Sequence, residues 1–445
     1  MYMKFLSYGI SLFFYSFILL AQNENNAVRP FMNEFGPGAR ALGLGGAYSA
    51  IAEDYTAVYW NPAGLAQIRK MEFYTAFAHR NNTNAITYQG TRTETSNGFT
   101  SMNALGFVFP VPTTRGSLVL AFGFHRVNSF DDYNRVTGSP MIGNISFDQD
   151  EKTTNTGSLN HWSFAGALDL TRNVSVGATL NIVTGKNDLS VDFFQDDEIA
   201  MLDDSIATKE VSFAEKPDYS GFNFKIGTLF RPAKNLRVAL TVTAPTKITV
   251  SENYSESTTI KTDNNGYYSD SWYEPYKYHI TSPWKFEIGS SYKYKLALFT
   301  GSVEWVDWQQ TRFSSNIFDA DGKNIDDAIN NALLNDYRTS VNYRIGTEMV
   351  VPQIGCKVMA GYAYQQSPYK NGLEIVNSDH RYISVGASFL LDEQVKIDAA
   401  YQYGWWKQAT TDNLLAYGPS PDYYNRYTSE KITSKKLLLS LSYRF

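Results

Sequence analysis

From residue 71 onward, apolar residues recur at every second position instead of following the 3.6-residue period of a helix. The C-terminal segment illustrates this, because Lys436 and Ser440 lie on its polar face and Leu438 is the single apolar exception there. The opposite face consists of Leu437, Leu439, Leu441, Tyr443 and Phe445. Such alternation predicts β-strands with one apolar face and one polar or small face.

Turn residues divide this pattern into fourteen predicted strands. The strands are predicted at 71–80, 102–111, 117–127, 161–170, 174–184, 220–231, 236–247, 283–293, 296–308, 340–350, 355–366, 381–391, 394–404 and 435–445. The connections alternate between short turns and long polar loops, the latter at 81–101, 128–160, 185–219, 248–282, 309–339, 367–380 and 405–434.

This alternation in connection length is typical of an up-and-down barrel with tight periplasmic turns and long outer loops. A soluble β protein is the alternative, but its outward face should be polar, whereas here nearly every strand has an apolar face. The sequence therefore predicts an all-β fold: a transmembrane antiparallel β-barrel of about 14 strands in the bacterial outer membrane.

The N-terminus combines Lys4, an apolar stretch from Phe5 to Ala21 and a polar continuation. This order predicts a secretory signal peptide over residues 1–21, with an uncleaved anchor as the alternative. No apolar run of about 18 residues follows, so helical membrane spans are not expected.

Residues 22–70 differ from the rest because they are rich in glycine and lack strand alternation. Glycine permits close backbone approaches, so we predict that this segment folds into the lumen as a hatch, or plug, ahead of a barrel at 71–445. The run 43–47 superficially resembles a dinucleotide-binding loop, but no strand precedes it and no βαβ unit follows.

Composition narrows the chemistry further. A single cysteine, Cys356, excludes a disulfide framework, and a net charge of −5 argues against nucleic acid as a partner. The five histidines lie far apart and no nucleophile elbow occurs, so we expect neither an enzyme nor a metal site or cofactor. The acidic run 319–327 invites a calcium interpretation, but its glycine is misplaced and no glutamate closes it. A solvated outer loop is the preferred interpretation.

Several motifs resemble the outer-membrane long-chain fatty acid transporters of the FadL type and their aromatic-hydrocarbon relatives. In the predicted hatch they are Asn33-Glu34-Phe35-Gly36, Gly38-Ala39-Arg40-Ala41-Leu42-Gly43, Gly45-Gly46-Ala47 and Asn61-Pro62-Ala63-Gly64. In the predicted barrel they are Ser282-Pro283-Trp284, Val303 to Trp308 and Tyr362 to Pro368. The resemblance covers essentially the whole mature chain and implies a barrel plugged by a hatch.

The resemblance also implies candidate site residues. The hatch or gate residues are Asn61, Pro62, Ala63 and Gly64, for which a purely structural role is the alternative. The candidate ligand-binding residues are Val28, Phe31, Met32 and Phe35, with Lys225, Arg237 and Lys357 as lumen cations for a carboxylate. Lumen ion pairs are the alternative for these cations. A short helix at 325–334, with an apolar face of Ile325, Ile329, Leu333 and Leu334, would either help form an outer groove or only pack its loop.

The leading functional hypothesis is passive uptake of hydrophobic compounds, such as long-chain fatty acids or aromatic hydrocarbons. Capture by the outer loops, a lumen pocket and a hatch-gated lateral exit would be its steps. The expected partners are a hydrophobic small molecule and the lipid and lipopolysaccharide of the outer membrane, and the expected state is a monomer. The alternative is a barrel component or shuttle of a type IX-like protein secretion system, whose barrels contain similar hatch motifs.

Overall fold

The structure is a computed structural model. It describes residues 27–32, 35–139, 141–142, 145–197, 206–262, 266–319, 322–370, 376–412 and 426–445. The predicted signal peptide, Asn33 and Glu34 lie outside these residues. Within them, no helix is both long and apolar enough to cross a membrane.

Within the described residues there are twenty strands, all paired antiparallel. They are β1 (Glu72–Tyr88), β2 (Thr91–Val111), β3 (Leu118–Ser129), β4 (Asp132–Gly138), β5 (Met141–Ile142), β6 (Ile145–Asp169), β7 (Val174–Asp197), β8 (Ile206–Ala233), β9 (Leu236–Thr243), β10 (Lys247–Thr262), β11 (Tyr267–Thr281), β12 (Lys285–Tyr294), β13 (Ala297–Asp307), β14 (Arg312–Ser315), β15 (Thr339–Val351), β16 (Cys356–Gln365), β17 (Val376–Asn377), β18 (His380–Leu390), β19 (Val395–Asp412) and β20 (Arg426–Arg444).

These strands occupy fourteen wall positions, which confirms the predicted fold class. Five positions hold two strands in line, namely β3 with β4, β9 with β10, β11 with β12, β13 with β14 and β17 with β18. The short β5 pairs locally with β6. The last strand, β20, pairs with β1 along its length, so the sheet closes into a barrel.

The predicted alternation sets the direction of the side chains. On β20, Leu437, Leu439 and Tyr443 point outward and are exposed, as expected for a face that meets lipid. Leu438, the exception in the sequence pattern, points inward and is fully buried in the apolar core inside the barrel. The exception is therefore a wall residue that packs against the interior.

The long outer loops were predicted wrongly in part, because many of their residues continue the strands beyond the membrane. The predicted loop 81–101 is reduced to the turn Gln89-Gly90, where both residues have positive φ angles of 47° and 81°. Tyr276 and Tyr278, expected in a loop, lie on β11 and are buried. Above the lipid a strand needs no apolar outer face, so hydrophobic alternation no longer marks it.

Residues 35–70 fill the lower lumen. The helix Ala39–Gly43 contacts β16, β18, β19 and β20, whereas the 3₁₀ helix Pro62–Gln67 contacts β3, β6, β7 and β8 on the other side. Between them lies the helix Ala57–Trp60. Small inward residues of the wall make room for this segment, among them Ala76, Ala104, Ala121, Ala165, Ala167, Ala239, Ala363 and Ala400.

A second apolar core, the outer cluster, closes the upper lumen. The predicted loop helix is confirmed as Asp326–Asp336, with Ile329 and Leu333 buried, Ile325 buried at its start, and Leu334 exposed. The outer cluster joins these residues to others on the strands and on the N-terminal segment: Trp308, Phe313, Tyr278, Tyr337, Ala27, Val28 and Phe31. Three further 3₁₀ turns lie at Arg29–Phe31, Trp308–Gln310 and Pro352–Ile354.

Candidate ligand cavity, hatch and wall window

A cavity of about 290 Å³, the lumen cavity, lies between the hatch and the outer cluster. This volume is near the lower end of the range for small-molecule pockets, about 300–1,000 Å³. Its apolar lining comes from the N-terminal segment, the hatch and the wall: Pro30, Phe31, Met32, Phe35, Val58, Val127, Leu159, Val183, Ile248, Val306 and Trp308. Of the residues predicted to bind a ligand, Phe31, Met32, Phe35 and Lys225 line it.

Trp308 is a residue whose role the sequence did not reveal. Its side chain is buried beside the lumen cavity, and its Nε1 donates to Ser340 Oγ at 2.8 Å. Interfacial and lumen tryptophans both lie near strand ends, so position in the sequence alone does not separate them.

Two lysines form the cationic part of the lining. Lys225 Nζ donates to the carbonyl of Tyr59 and lies 4.9 Å from the centre of its ring. Lys285 Nζ donates to the carbonyl of Phe31 at 3.1 Å and lies 5.7 Å from the Trp308 ring. Both ammonium groups therefore contact backbone of the lumen segments. The inward position of Lys285 on β12 follows from alternation, although it was not singled out from the sequence.

An ion-pair network borders the lysines. Arg344 contacts Glu304 at 3.0 Å and Glu287 at 3.7 Å, and all three side chains are largely buried. Asn342 Nδ2 donates to the same Glu304 oxygen at 2.9 Å. Buried ions require partners of this kind, since desolvation is costly. Among the described residues, Lys225 and Lys285 form no ion pair and instead donate to backbone carbonyls.

A pair of histidines completes the polar side. The rings of His125 and His161 lie 5.3 Å apart, and the Tyr59 ring lies 5.5 Å from His125. Both residues line the lumen cavity, where His125 Nε2 and His161 Nδ1 are buried without a hydrogen-bond partner. These nitrogens are available to a polar group of a ligand. Within the described residues, no cluster of three or more potential ligands is arranged to hold a metal ion.

The other predicted residues lie elsewhere. Arg237 pairs with Glu53 of the hatch, and Lys357 pairs with Glu348 at 3.0 Å. Neither lines the lumen cavity. Val28 does not line the cavity either. It is fully buried in the outer cluster, to which the cavity-lining Phe31 also belongs.

The motif Asn61-Pro62-Ala63-Gly64 connects the hatch to the wall. Asn61 Oδ1 accepts from the amide of Ala63 at 3.1 Å, and its Nδ2 donates to the carbonyls of Ser49 at 2.9 Å and Thr228 at 3.1 Å. Pro62 begins the 3₁₀ helix, where its fixed φ and missing N–H are tolerated. The backbone of Gly64 faces the Ala52 carbonyl so closely that a β-carbon would lie 2.0 Å from it.

Two acidic residues of the hatch stabilise its contact with the wall. Burial alone would raise the pKa of Asp54, but Lys396, hydrogen bonds from Thr56 and Tyr48, and Arg40 together lower it below 3.8. Burial likewise opposes ionisation of Glu53, yet Arg237 and Arg40 lower its pKa. Both carboxyl groups are therefore ionised at neutral pH and held by cations.

In the described part of the wall, the backbone pairing between β2 and β3 is interrupted beside the lumen cavity. The ladder between β2 and β3 runs from Val111↔Leu118 to Ala104↔His125, and the described residues of β2 above Ala104 pair with β1 alone. Higher up, Thr95 Oγ1 donates to the carbonyl of Tyr133 on β4 at 3.2 Å. Between these levels lies the wall window, a hollow of about 20 Å³ bordered by Phe99, Ser101, Asn103, Arg126, Ser129 and Asp131.

The family model described as outer membrane protein transport protein (OMPP1/FadL/TodX) matches residues 36–445. The chain belongs to this family. Among curated proteins, none matches it. Membership in the OMPP1/FadL/TodX family confirms the resemblance seen in the hatch motifs and the predicted location in the outer membrane.

Solved structures share the fold of this family member. A FadL homologue from Pseudomonas aeruginosa is 14% identical, with a TM-score of 0.63 over 93% of this chain and 100% of that one. The toluene transporter TodX from P. putida is 12% identical, with a TM-score of 0.61 over 92% and 99%. The toluene transporter TbuX from Ralstonia pickettii is 13% identical, with a TM-score of 0.55 over 92% and 99%. The secretion-system alternative gains no support from these relationships.

Proposed function

We propose that this protein takes up hydrophobic compounds passively across the outer membrane, and that its preferred ligands are long-chain fatty acids. The observation that carries the proposal is the lumen cavity, which combines an apolar lining with Lys225 and Lys285 inside a closed barrel. Apolar ligands gain about 25 cal/mol per Å² of surface removed from water, so an enclosed apolar pocket can bind them without an energy source.

Capture begins at the outer cluster. Leu334 is exposed on the helix Asp326–Asp336, whereas Ile329 and Leu333 of that helix are buried behind it. An apolar molecule that has passed the lipopolysaccharide can contact this exposed side chain before entering. From there Phe31 and Trp308 lead to the lumen cavity, since both belong to the outer cluster and to the cavity lining.

The cations favour a ligand with a carboxylate. Lys225 and Lys285 donate to backbone carbonyls, which a charged carboxylate would replace as a stronger acceptor. Such replacement would loosen the attachment of Tyr59 and Phe31 to the wall. Aromatic hydrocarbons, which lack an acceptor, would use the apolar lining alone.

Exit is lateral, through the wall window into the outer membrane. The hatch fills the lower lumen and blocks an axial path, whereas the window adjoins the lumen cavity and lacks a backbone ladder. Asn61 to Gly64 hold the hatch against β7 and β8, so we assign them the role of its fixed anchor. We also propose that the protein acts as a monomer, because a single barrel contains capture site, cavity and exit.

Fluorescence quenching by a brominated fatty acid tests this proposal. Trp60, Trp308 and Trp406 line the lumen cavity, so bromostearate bound there should quench saturably and be displaced by oleate. The variant Trp308→Phe should lose part of the quenching while keeping the affinity. Quenching that rises linearly without saturation, in wild type and variant alike, would show only partition into detergent and contradict the proposal.

A further inference from the structure

A chain of hydrogen bonds crosses the wall beside the lumen cavity, from the end of β9 to β3. It starts at the backbone carbonyl of Ala244, which accepts from Asn223 Nδ2 on β8 at 3.0 Å. Asn223 Oδ1 accepts from Asn181 Nδ2 on β7 at 3.1 Å. Asn181 Oδ1 accepts from Ser163 Oγ on β6 at 2.5 Å. The last contact joins Ser163 Oγ to His125 Nδ1 on β3 at 3.4 Å.

The first member of this chain fixes the direction of every later bond. A backbone carbonyl only accepts, so Asn223 must present its amide nitrogen to Ala244. Its oxygen then faces Asn181, which presents a nitrogen there and an oxygen to Ser163. The Ser163 hydroxyl has a single hydrogen and donates it to Asn181. Towards His125 the hydroxyl can therefore only accept.

The chain thereby determines which nitrogen of His125 carries the proton. His125 is fully buried, and burial disfavours a charged imidazole, so one ring nitrogen is protonated and the other has a lone pair. Because Nδ1 donates to Ser163, the lone pair is on Nε2. This atom is buried and has no hydrogen-bond partner among the described residues. It is an acceptor that requires a donor, which a carboxylate or an ether cannot supply.

His125 lies beside the group that would hold a ligand carboxylate. The Tyr59 ring packs edge-on against His125, with the ring centres 5.5 Å apart. The same ring lies 4.9 Å from Lys225 Nζ, which donates to the Tyr59 carbonyl. All three residues line the lumen cavity. A carboxylate that replaces this carbonyl at Lys225 would loosen the residue that covers His125, so both polar groups act on the same end of a ligand.

His161 can supply the complementary contact. Its ring lies 5.3 Å from that of His125, and its Nδ1 is buried without a partner in the described part of the chain. A neutral imidazole can carry its proton on either nitrogen, so His161 can donate to the oxygen whose hydrogen goes to His125. A hydroxyl group donates and accepts at once, whereas an ether oxygen only accepts and an ammonium only donates.

We infer that His125 selects ligands with a hydroxyl group close to their carboxylate, such as 2- and 3-hydroxy fatty acids. Lys225 holds the carboxylate, and the hydroxyl donates to His125 Nε2. Ser163 is a positioning residue that keeps His125 in the accepting tautomer, and the apolar lining holds the alkyl chain. This inference rests on the proposed function and deepens it, since it names the class of fatty acid that the lumen cavity prefers.

Competition against bromostearate on the purified protein tests the ligand preference. 3-Hydroxystearate should displace the probe at about one tenth of the concentration that stearate requires, the size of one hydrogen bond to a buried acceptor. 3-Methoxystearate has an oxygen at the same carbon that cannot donate, so it should show no such gain. 12-Hydroxystearate carries its hydroxyl far from the carboxylate and should compete like stearate.

Two variants separate recognition from general damage. His125→Phe keeps a flat ring without the acceptor, so the preference for 3-hydroxystearate should disappear while stearate still binds. Ser163→Ala changes a residue that is not part of the cavity lining and releases the proton of His125 to either nitrogen. It should lower the preference several-fold and leave the affinity for stearate unchanged. Folding of both variants is checked by the heat-dependent shift of the barrel on gels.

His79→Phe is the matched control. It makes the same substitution on the exposed outer face of β1, where His79 contacts Thr100, and should behave as the wild type.

Equal competition by stearate and 3-hydroxystearate in the wild type would overturn the inference and leave the uptake of fatty acids standing. The same holds for an equal gain with 3-methoxystearate, or for a preference that survives in folded His125→Phe. Absence of saturable displacement by all four acids would instead refute the proposed function, and the inference with it.

Discussion

Asn61 and Gly227 meet so closely that a β-carbon on Gly227 would lie 2.0 Å from Asn61 Oδ1. A similar relationship holds on the next strand, where a β-carbon on Gly177 would lie 2.5 Å from the carbonyl carbon of Pro62. Because Gly227 has no side chain, Asn61 can approach the backbone closely and reach the Thr228 carbonyl. The hatch motif and these two wall glycines therefore form a single contact.

Gly227→Ala should loosen this contact. The added methyl group has no space, so we expect the hatch to be destabilised by about 1–3 kcal/mol. Hydrogen exchange of peptides that cover residues 57–68 measures the change. Gly166→Ala is the matched control, because its β-carbon would meet only Leu120 Cδ2 at an ordinary 3.5 Å. Equal exchange in both variants would contradict the prediction.

Asn61→Asp should separate the two functions of the asparagine. The variant keeps an acceptor for the Ala63 amide but loses the donor to the carbonyls of Ser49 and Thr228. Buried groups left without a partner cost about 1–3 kcal/mol each, so exchange of the hatch should rise. Asn61→Ala should raise it further. An effect limited to Asn61→Ala would show that the donor bonds contribute nothing.

Lys225→Met should weaken the binding of oleate and spare that of a neutral hydrocarbon. One charge-assisted hydrogen bond corresponds to roughly a tenfold or larger loss of affinity. Bromostearate quenching with oleate as competitor gives the affinity, and ethylbenzene as competitor gives the neutral comparison. Lys357→Met serves as control, since Lys357 pairs with Glu348 away from the lumen cavity. A similar loss for both competitors would argue against carboxylate recognition.

Acid should release the hatch through Asp54. Because its pKa is lower in the folded protein than its ordinary 3.8, the carboxylate stabilises the hatch above that pH. The stabilisation should be lost as the pH falls below about 4 and passes through the lowered pKa of Asp54. Asp54→Asn lacks this dependence, so the difference in hatch hydrogen exchange between wild type and variant should shrink below pH 4. A difference that stays constant would be inconsistent with the lowered pKa.

Most of the fold could be predicted from the alternation of apolar and polar residues along the strands. It placed fourteen wall positions and the lipid-facing side chains, because a membrane requires an apolar outer face on every strand. Above the membrane that requirement ends, and segments such as Tyr267–Thr281 could not be distinguished from loops. Leu438 departs from the apolar-outward pattern because it points inward and packs in the core that contains the hatch.

The site was predictable only in part, because alternation gives the face of a residue but not its height in the lumen. Lys225 lies eight residues before the end of β8 at Ala233, or about 26 Å along the strand, and so rises above the hatch. Arg237 and Lys357 are the second residues of β9 and β16, where the hatch and nearby carboxylates occupy the lumen. The ion pairs of Arg237 with Glu53 and of Lys357 with Glu348 depend on how the hatch and neighbouring strands pack, which the pattern of a single strand does not show.

Uptake by cells tests the central claim most directly. A strain that lacks this chain, with and without complementation by the wild type, is supplied with labelled oleate and labelled ethylbenzene, and initial rates are measured. The account predicts that complementation restores saturable uptake of oleate by a factor well above that for ethylbenzene. Identical rates with and without the chain, for both compounds, would contradict it.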